Sequence, residues 1–182
     1  MGGWHLGVSH AEARSMTTAA HDTDRPSAAL PTVLIGIGLG GFFDGIVLHQ
    51  ILQWHHMLSA HTPPDTLANL QLNTIADGLF HASTWIFTVL GVFLLWRAVR
   101  SDALLGWSAL IGGLLAGWGG FNVVEGIVDH HLLGVHHVRP GPDEFLYDVG
   151  FLVWGAVMIV IGVILLRRSV NPDIAGDRDT GA

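Results

Sequence analysis

The chain has 182 residues, of which 50% are hydrophobic and only 13% are charged, and its net charge is −7. The length fits one domain, and the composition excludes an ordinary water-soluble protein. The acidic balance argues against a nucleic-acid partner, because no basic patch is present. The absence of cysteine excludes disulfides, thiolate metal sites and iron–sulfur clusters.

The first predicted element is a flexible cytoplasmic tail, residues 1–31, in which small polar residues alternate with scattered charges. Four apolar runs follow, and each is long enough for a helix that crosses a hydrocarbon core of about 30 Å. We place these spans at about residues 32–57, 73–96, 103–128 and 147–166, within a transmembrane domain of residues 32–168. A second flexible cytoplasmic tail is predicted at residues 169–182. The expected fold class is an all-α membrane protein with four transmembrane helices.

The arginines predict the orientation of these helices. Arg97 and Arg100 lie between the second and third spans, and Arg167 and Arg168 follow the fourth. Because positive residues accumulate on the cytoplasmic side, both termini are expected to be cytoplasmic. The loops after the first and third spans then face outward.

A segment with an acid and three histidines occurs twice, at an offset of 81 residues. In both copies, a histidine follows the acid by five residues and a histidine pair begins six residues later: Asp44, His49, His55 and His56, then Glu125, His130, His136 and His137. The second and fourth spans also repeat, with Asp77 matching Asp148. This pattern predicts a duplicated helical hairpin, with a pseudo-two-fold axis along the membrane normal, that forms a four-helix bundle.

The second span carries polar residues at a spacing of four, namely Asn69, Asn73, Asp77 and His81. Side chains at this spacing share one face of a helix. A lipid-facing surface does not account for such a stripe. The stripe therefore predicts a helix face that is turned into the bundle.

The repeated acids and histidines indicate a metal site. Ionisable side chains inside a span cost free energy unless they are paired or hydrated, so they usually face the interior and mark function. Imidazole and carboxylate are ligands of copper, iron and zinc, and helical bundles build dinuclear sites from such groups. The predicted first ligands are His49, His81, His130, Asp44, Asp77 and Glu125. The histidine pairs would form a mouth or a second site, at His55, His56, His136 and His137.

The stretch Gly-Phe-Phe-Asp-Gly-Ile-Val-Leu-His-Gln, which begins at Gly41, resembles an uncharacterised bacterial family of small four-span membrane proteins with a domain of unknown function. Residues 77–81 and 125–131 fit the same family pattern, and the resemblance covers about residues 30–168. It implies a protein of the bacterial inner (plasma) membrane and supplies no activity. It also implies a link to respiratory-oxidase assembly, which favours copper or haem.

The leading functional hypothesis is an integral membrane protein that binds copper or iron, or else zinc, in the outer, periplasmic half of the bundle. Such a protein would handle the metal for respiratory enzymes or perform redox chemistry, and Met57 beside the first histidine pair favours copper. One alternative is a haem b electron carrier with His49 and His130 as axial ligands. Further alternatives are a proton- or cation-coupled transporter and a polar network that only specifies packing. The sequence leaves open whether the protein is an enzyme, and whether it forms a homo-oligomer or joins a respiratory complex.

Overall fold

The apolar runs fold into four long helices in the described part of the chain, residues 28–101 and 105–170 of a computed structural model. Helix α1 has an α-helical part, Ala29–Phe43, and ends in π-helical turns, Asp44–Ile51. Helix α2 is Leu67–Arg100, α3 is Trp107–Glu125 followed by π-helical Gly126–Leu132, and α4 is Glu144–Val170. All four are long and apolar enough to cross a membrane, and the described residues contain no strand.

The predicted class, an all-α protein with four membrane-spanning helices, is thereby confirmed. The duplication of a helical hairpin stays a prediction. Most of the two predicted tails, residues 1–27 and 171–182, lies outside the described residues.

The helix bounds differ from the apolar runs for local reasons. The first span is predicted to end at about residue 57, whereas α1 ends at Ile51. The helix stops there because the chain turns at Gln53, which has a left-handed φ of 49°. Helix α2 begins before the apolar run, since the side chain of Thr66 accepts a hydrogen bond from the Asn69 N–H at 3.2 Å. Such capping satisfies a free N–H at the helix start and extends the helix beyond its hydrophobic part.

Helices α1 and α3 form the centre of the bundle. Helix α1 packs between α2 and α3, and α3 packs between α1 and α4. The outward faces of α2 and α4 carry large exposed apolar side chains, among them Ile75, Trp85, Trp154 and Val160. Such faces suit a hydrocarbon solvent, in which backbone polar groups must be satisfied within the helix.

Glycines allow the helix backbones to touch. A Cβ atom added at Gly91 of α2 would lie 2.8 Å from the backbone nitrogen of Ile35 in α1. A Cβ atom at Gly162 of α4 would lie 2.9 Å from the Cα of Ala116 in α3. Small residues at such positions are a common basis of helix association in lipid. The central pair and its flanking helices are thus held at close range along the glycine-rich part of the bundle.

Two adjacent glycines of α3 test this packing. A Cβ at Gly119 would lie 2.8 Å from the backbone nitrogen of Ile159, whereas a Cβ at Gly120 would meet no atom within 4 Å. We expect Gly119→Ala to lower the free energy of unfolding in detergent by about 1–3 kcal/mol, as overpacked cores do. The control Gly120→Ala should be neutral or slightly stabilising, and equal losses in both variants would contradict the assigned packing.

Candidate metal centre

The π-helical turns bring the acid and the first histidine of each repeated segment to the same face. In an α-helix, residues five apart point roughly 140° away from each other. A π-helix bonds each N–H to the carbonyl five residues back, so such residues lie one turn apart. The bonds of this kind run from Leu52 N–H to Val47 O and from Leu133 N–H to Val128 O, both at 2.8 Å. Asp44 therefore lies on the same helix face as His49, and Glu125 lies on the same helix face as His130.

Four imidazole rings meet in the interior at the histidine-bearing end of the bundle. The ring centroids of His49 and His55 are 4.4 Å apart, those of His55 and His136 are 4.5 Å apart, and those of His136 and His130 are 4.9 Å apart. All four side chains are between 0% and 4% exposed. A cluster of this kind is unlike a hydrophobic core, because each ring brings a polar nitrogen that needs a partner.

The inner nitrogens of these rings have no hydrogen bond within the described residues. This holds for the Nε2 atoms of His49, His55, His130 and His136. The outer nitrogens of two of these rings are held instead: Nδ1–H of His55 donates to the carbonyl of Val138 at 2.8 Å, and Nδ1–H of His49 donates to Asp77 at 3.0 Å. Nδ1 of His130 has no hydrogen bond either. A ring that donates from Nδ1 keeps its lone pair on Nε2, which is the form that binds a metal.

Two buried carboxylates complete the cluster. Asp44 is 2% exposed and Glu125 is 4% exposed. Oδ2 of Asp44 lies 3.0 Å from Nε2 of His49 without the alignment of a hydrogen bond, and Oε1 of Glu125 lies 3.6 Å from Nε2 of His136. Burying two carboxylates so close together is costly unless positive charge balances them, and a cation between them would offset that cost.

Donor atoms from these six side chains lie close enough to share an ion. In three overlapping groups of three, all the ligand atoms lie within 4.8 Å of one another. The groups are His49, His55 and His136; Glu125, His130 and His136; and Asp44, His49 and Glu125. The described residues therefore contain a buried imidazole and carboxylate cluster that could hold a metal ion.

A second layer of carboxylates supports the central histidines. Asp77 of α2 accepts from Nδ1–H of His49 at 3.0 Å, from Nδ1–H of His56 at 2.7 Å and from the N–H of Met57 at 2.8 Å. Carboxylates that bind the far nitrogen of a ligand histidine fix the orientation of its ring in metal sites. Asp77 is therefore placed to orient His49 rather than to contact an ion.

Asp148 of α4 has the matching role in the other half. It accepts from Nδ1–H of His137 at 2.7 Å and from the N–H of Val138 at 2.9 Å. Its Oδ1 lies 3.4 Å from Nδ1 of His130. The contacts of Asp148 thus correspond one by one to those of Asp77.

The two loops of the histidine-bearing end hold each other's histidines. Nδ1–H of His55 donates to Val138 O, while Nδ1–H of His136 donates to Met57 O at 3.3 Å. Buried Asn73 of α2 fixes the first loop, because its amide donates to Thr62 O at 2.8 Å and accepts from the N–H of Leu58 at 3.0 Å. The polar stripe of α2 therefore anchors a loop.

Burial keeps the two loop histidines neutral. It lowers the pKa of His55 from the usual 6.5 to about 4. Burial also lowers the pKa of His136 to about 3, and the neighbouring His55 adds to this shift. Both rings are thus uncharged at neutral pH, as metal ligands must be.

The histidines at the centre of the cluster are not all the ones that the sequence predicts as first ligands. His55 and His136, expected at a mouth or second site, lie in the centre, whereas His56 and His137 lie at the periphery on Asp77 and Asp148. His81 joins none of the three-residue groups. Its Nε2 also lacks a hydrogen bond, but it lies against Gly45, and its ring lies beside Phe42 and Phe80.

Asp148 is absent from the predicted ligands although it supports the site. The signal for it was available, since Asp148 matches Asp77 in the repeat of the second and fourth spans.

The fold and cluster define a helical membrane protein with buried imidazoles and carboxylates that could hold a metal ion. Residues 31–169 match the family described as "Predicted membrane protein (DUF2243)", and the chain belongs to this family. The resemblance expected from the sequence is thereby confirmed. Among curated proteins and solved structures, none matches the chain.

Proposed function

We propose that the protein binds two transition-metal ions side by side between α1 and α3. By the two copies of the repeated segment, one ion would be held by Asp44, His49 and His55, and the other by Glu125, His130 and His136. The second triad is one of the three groups of mutually close ligand atoms, whereas the first draws on two of them. The observation that carries this proposal is that six neighbouring side chains have buried donor atoms without hydrogen-bond partners and lie within reach of one another. Protein interiors rarely leave so many polar atoms unsatisfied, and metal ions are a usual reason.

The donor set narrows the choice of metal. Each ion would have two imidazole nitrogens and one carboxylate, and no thiolate is available because the chain lacks cysteine. Such ligands suit copper(II), iron and zinc. Three protein ligands leave coordination positions open to a further ligand, as in metal sites that react. Together with the respiratory link that the family resemblance implies, these open positions lead us to propose that the protein delivers copper or iron to a respiratory enzyme or uses the metal for redox chemistry.

The packing of the rings favours ions over a haem b group with His49 and His130 as axial ligands. The rings of His55 and His136 lie against both of those histidines, at centroid distances of 4.4–6.5 Å. A porphyrin between His49 and His130 would displace them and their hydrogen bonds to the opposite loops.

A path for ions across the whole bundle is not supported by the described residues. Beyond the cluster, α1 and α3 meet through glycines, and the buried polar side chains there are neutral, such as Thr32. Ion paths in membranes are usually lined by ionisable or water-exposed groups. A resident metal site accounts for the cluster better than a transport pathway does.

The proposed location of the site is the periplasmic side of the bacterial inner membrane. Arg97, Arg100, Arg167 and Arg168 lie in the last turns of α2 and α4, at the end remote from the histidines. Positive residues favour the cytoplasmic side. The histidine-bearing end then faces the periplasm, where incoming copper or iron is available.

Elemental analysis of the full-length protein tests the proposal. The protein is expressed with added iron, copper, zinc or manganese, purified in detergent and measured by mass spectrometry. We expect about two equivalents of one transition metal per chain, one for each triad of donors. One equivalent would contradict the two-ion arrangement, and less than about a tenth of an equivalent under all four conditions would overturn metal binding.

A further inference from the structure

A cavity of about 740 Å³ lies beside the first half of the metal centre. Its wall includes His49 and His55, and its polar lining includes Gln50, Gln53, His56 and Asp77. This volume is in the range of about 300–1,000 Å³ that is typical of ligand sites. It is large enough for a cation that still carries its shell of water. His137 and Asp148 of the second half do not line this cavity.

His56 is oriented in this cavity as a metal ligand would be. Its Nδ1–H donates to Oδ2 of Asp77 at 2.7 Å, and its side chain is 15% exposed. The lone pair therefore remains on Nε2, on the side that the carboxylate does not occupy. The same carboxylate holds His49 of the centre through Oδ1. Asp77 thus links an accessible imidazole to a buried one.

Gln53 provides a second, independent sign of function at the cavity. Its φ is 49°, a left-handed conformation that glycine adopts freely and that other residues avoid. The matching position of the second half is Gly134, with a φ of 57°. The first half therefore keeps a side chain where glycine would fit the backbone better, and that side chain lines the cavity. Such local strain is often retained where the residue contributes to binding.

We propose that this cavity captures a hydrated divalent transition-metal cation and passes it to the centre. Nε2 of His56 is the first protein ligand to replace a water, and the amide oxygens of Gln50 and Gln53 accept hydrogen bonds from the remaining waters. The rings of His49 and His55 are in contact and separate the cavity from the centre, so one of them must turn aside for the ion to pass. This inference rests on the proposed metal site and concerns only how the ion reaches it.

The rate of metal loading tests this route separately from the capacity of the site. Full-length protein is stripped of metal with a chelator and mixed with Co²⁺, whose visible absorption reports coordination by nitrogen and oxygen ligands. We expect His56→Ala to load at least about tenfold more slowly than wild type, as the loss of one favourable contact in the capture step implies. The final amount of bound Co²⁺ should be unchanged.

Gln53→Gly should also load more slowly while its thermal stability is equal to or above that of wild type.

His137→Ala is the matched control. This variant removes a 2.7 Å hydrogen bond to Asp148, just as His56→Ala removes a 2.7 Å hydrogen bond to Asp77. His137, however, does not line the cavity. Wild-type loading by His137→Ala, together with slow loading by His56→Ala, would support the route. Equal slowing in both variants, or wild-type rates in both, would overturn it and leave the metal site intact. Failure of the wild-type protein to bind Co²⁺ at all would overturn the metal site, and the route with it.

Discussion

The double variant His55→Ala/His136→Ala is expected to lose its bound metal. Each proposed ion would keep one imidazole and one carboxylate, which is too few ligands for tight binding. Changes in residues that merely support a ligand already weaken metal binding by about 10–100-fold, so the loss of a direct ligand from both ions should exceed 100-fold. Titration of the chelator-treated protein with Co²⁺ or Zn²⁺ measures this change as an increase in the dissociation constant.

A matched control exists in two exposed histidines, His61 in the loop after α1 and His131 in the π-helical turns of α3. His61 and His131 belong to none of the groups of ligand atoms, and both are solvent exposed. The variant His61→Ala/His131→Ala removes the same number of imidazoles and should keep the wild-type affinity and stoichiometry. Wild-type binding by His55→Ala/His136→Ala would show that the central rings are a packing device and would reject the proposed ligand set.

Acidification is expected to destabilise the metal-free protein strongly below about pH 6.5. In the unfolded chain, His55 and His136 take up protons near the usual pKa of 6.5, whereas the folded protein keeps them neutral down to about 4 and about 3. The unfolded state therefore binds more protons in this window, so stability is complete above pH 6.5 and falls as the pH decreases toward the folded values. Two protons correspond to a slope of up to about 2.7 kcal/mol per pH unit. Unfolding in detergent, measured from pH 8 to pH 4, gives the slope.

The variant His55→Ala/His136→Ala isolates the contribution of these two rings. It leaves in place the ionisable groups that face them, namely Asp44, His49, Glu125 and His130. Its stability should therefore depend less steeply on pH between 6.5 and 4 than that of wild type. Parallel curves for the two proteins would contradict the burial of neutral imidazoles at these positions.

The number of helices and the family could be predicted from the sequence because both are visible in long stretches of consecutive residues. An apolar run of about 20 residues has few alternatives to a membrane-spanning helix. Acids and histidines also recur together at an offset of 81 residues, and this repetition predicts one polar site. These features need no knowledge of the local backbone.

The ranking of individual ligands depended on local geometry, which the sequence did not reveal. Extending an α-helix through His55 puts that residue on the face of Asp44, but the chain leaves the helix at Ile51 and returns through a loop. His55 still approaches Asp44, at 4.0 Å between Nε2 and Oδ1, by a different path. His81 shows the opposite case, since its spacing of four from Asp77 directs its Nδ1 to the backbone of its own helix. A spacing that brings two residues together does not decide which of their atoms face a ligand.

The exchange of hydrogen bonds between the loops has a consequence for the size of the working unit. His55 depends on the carbonyl of Val138, and His136 depends on the carbonyl of Met57. A fragment with only α1 and α2 would have no anchor for His55, and a fragment with only α3 and α4 would have none for His136. Each half therefore holds a histidine of the other in place, and the proposed metal site would form only in the assembled chain.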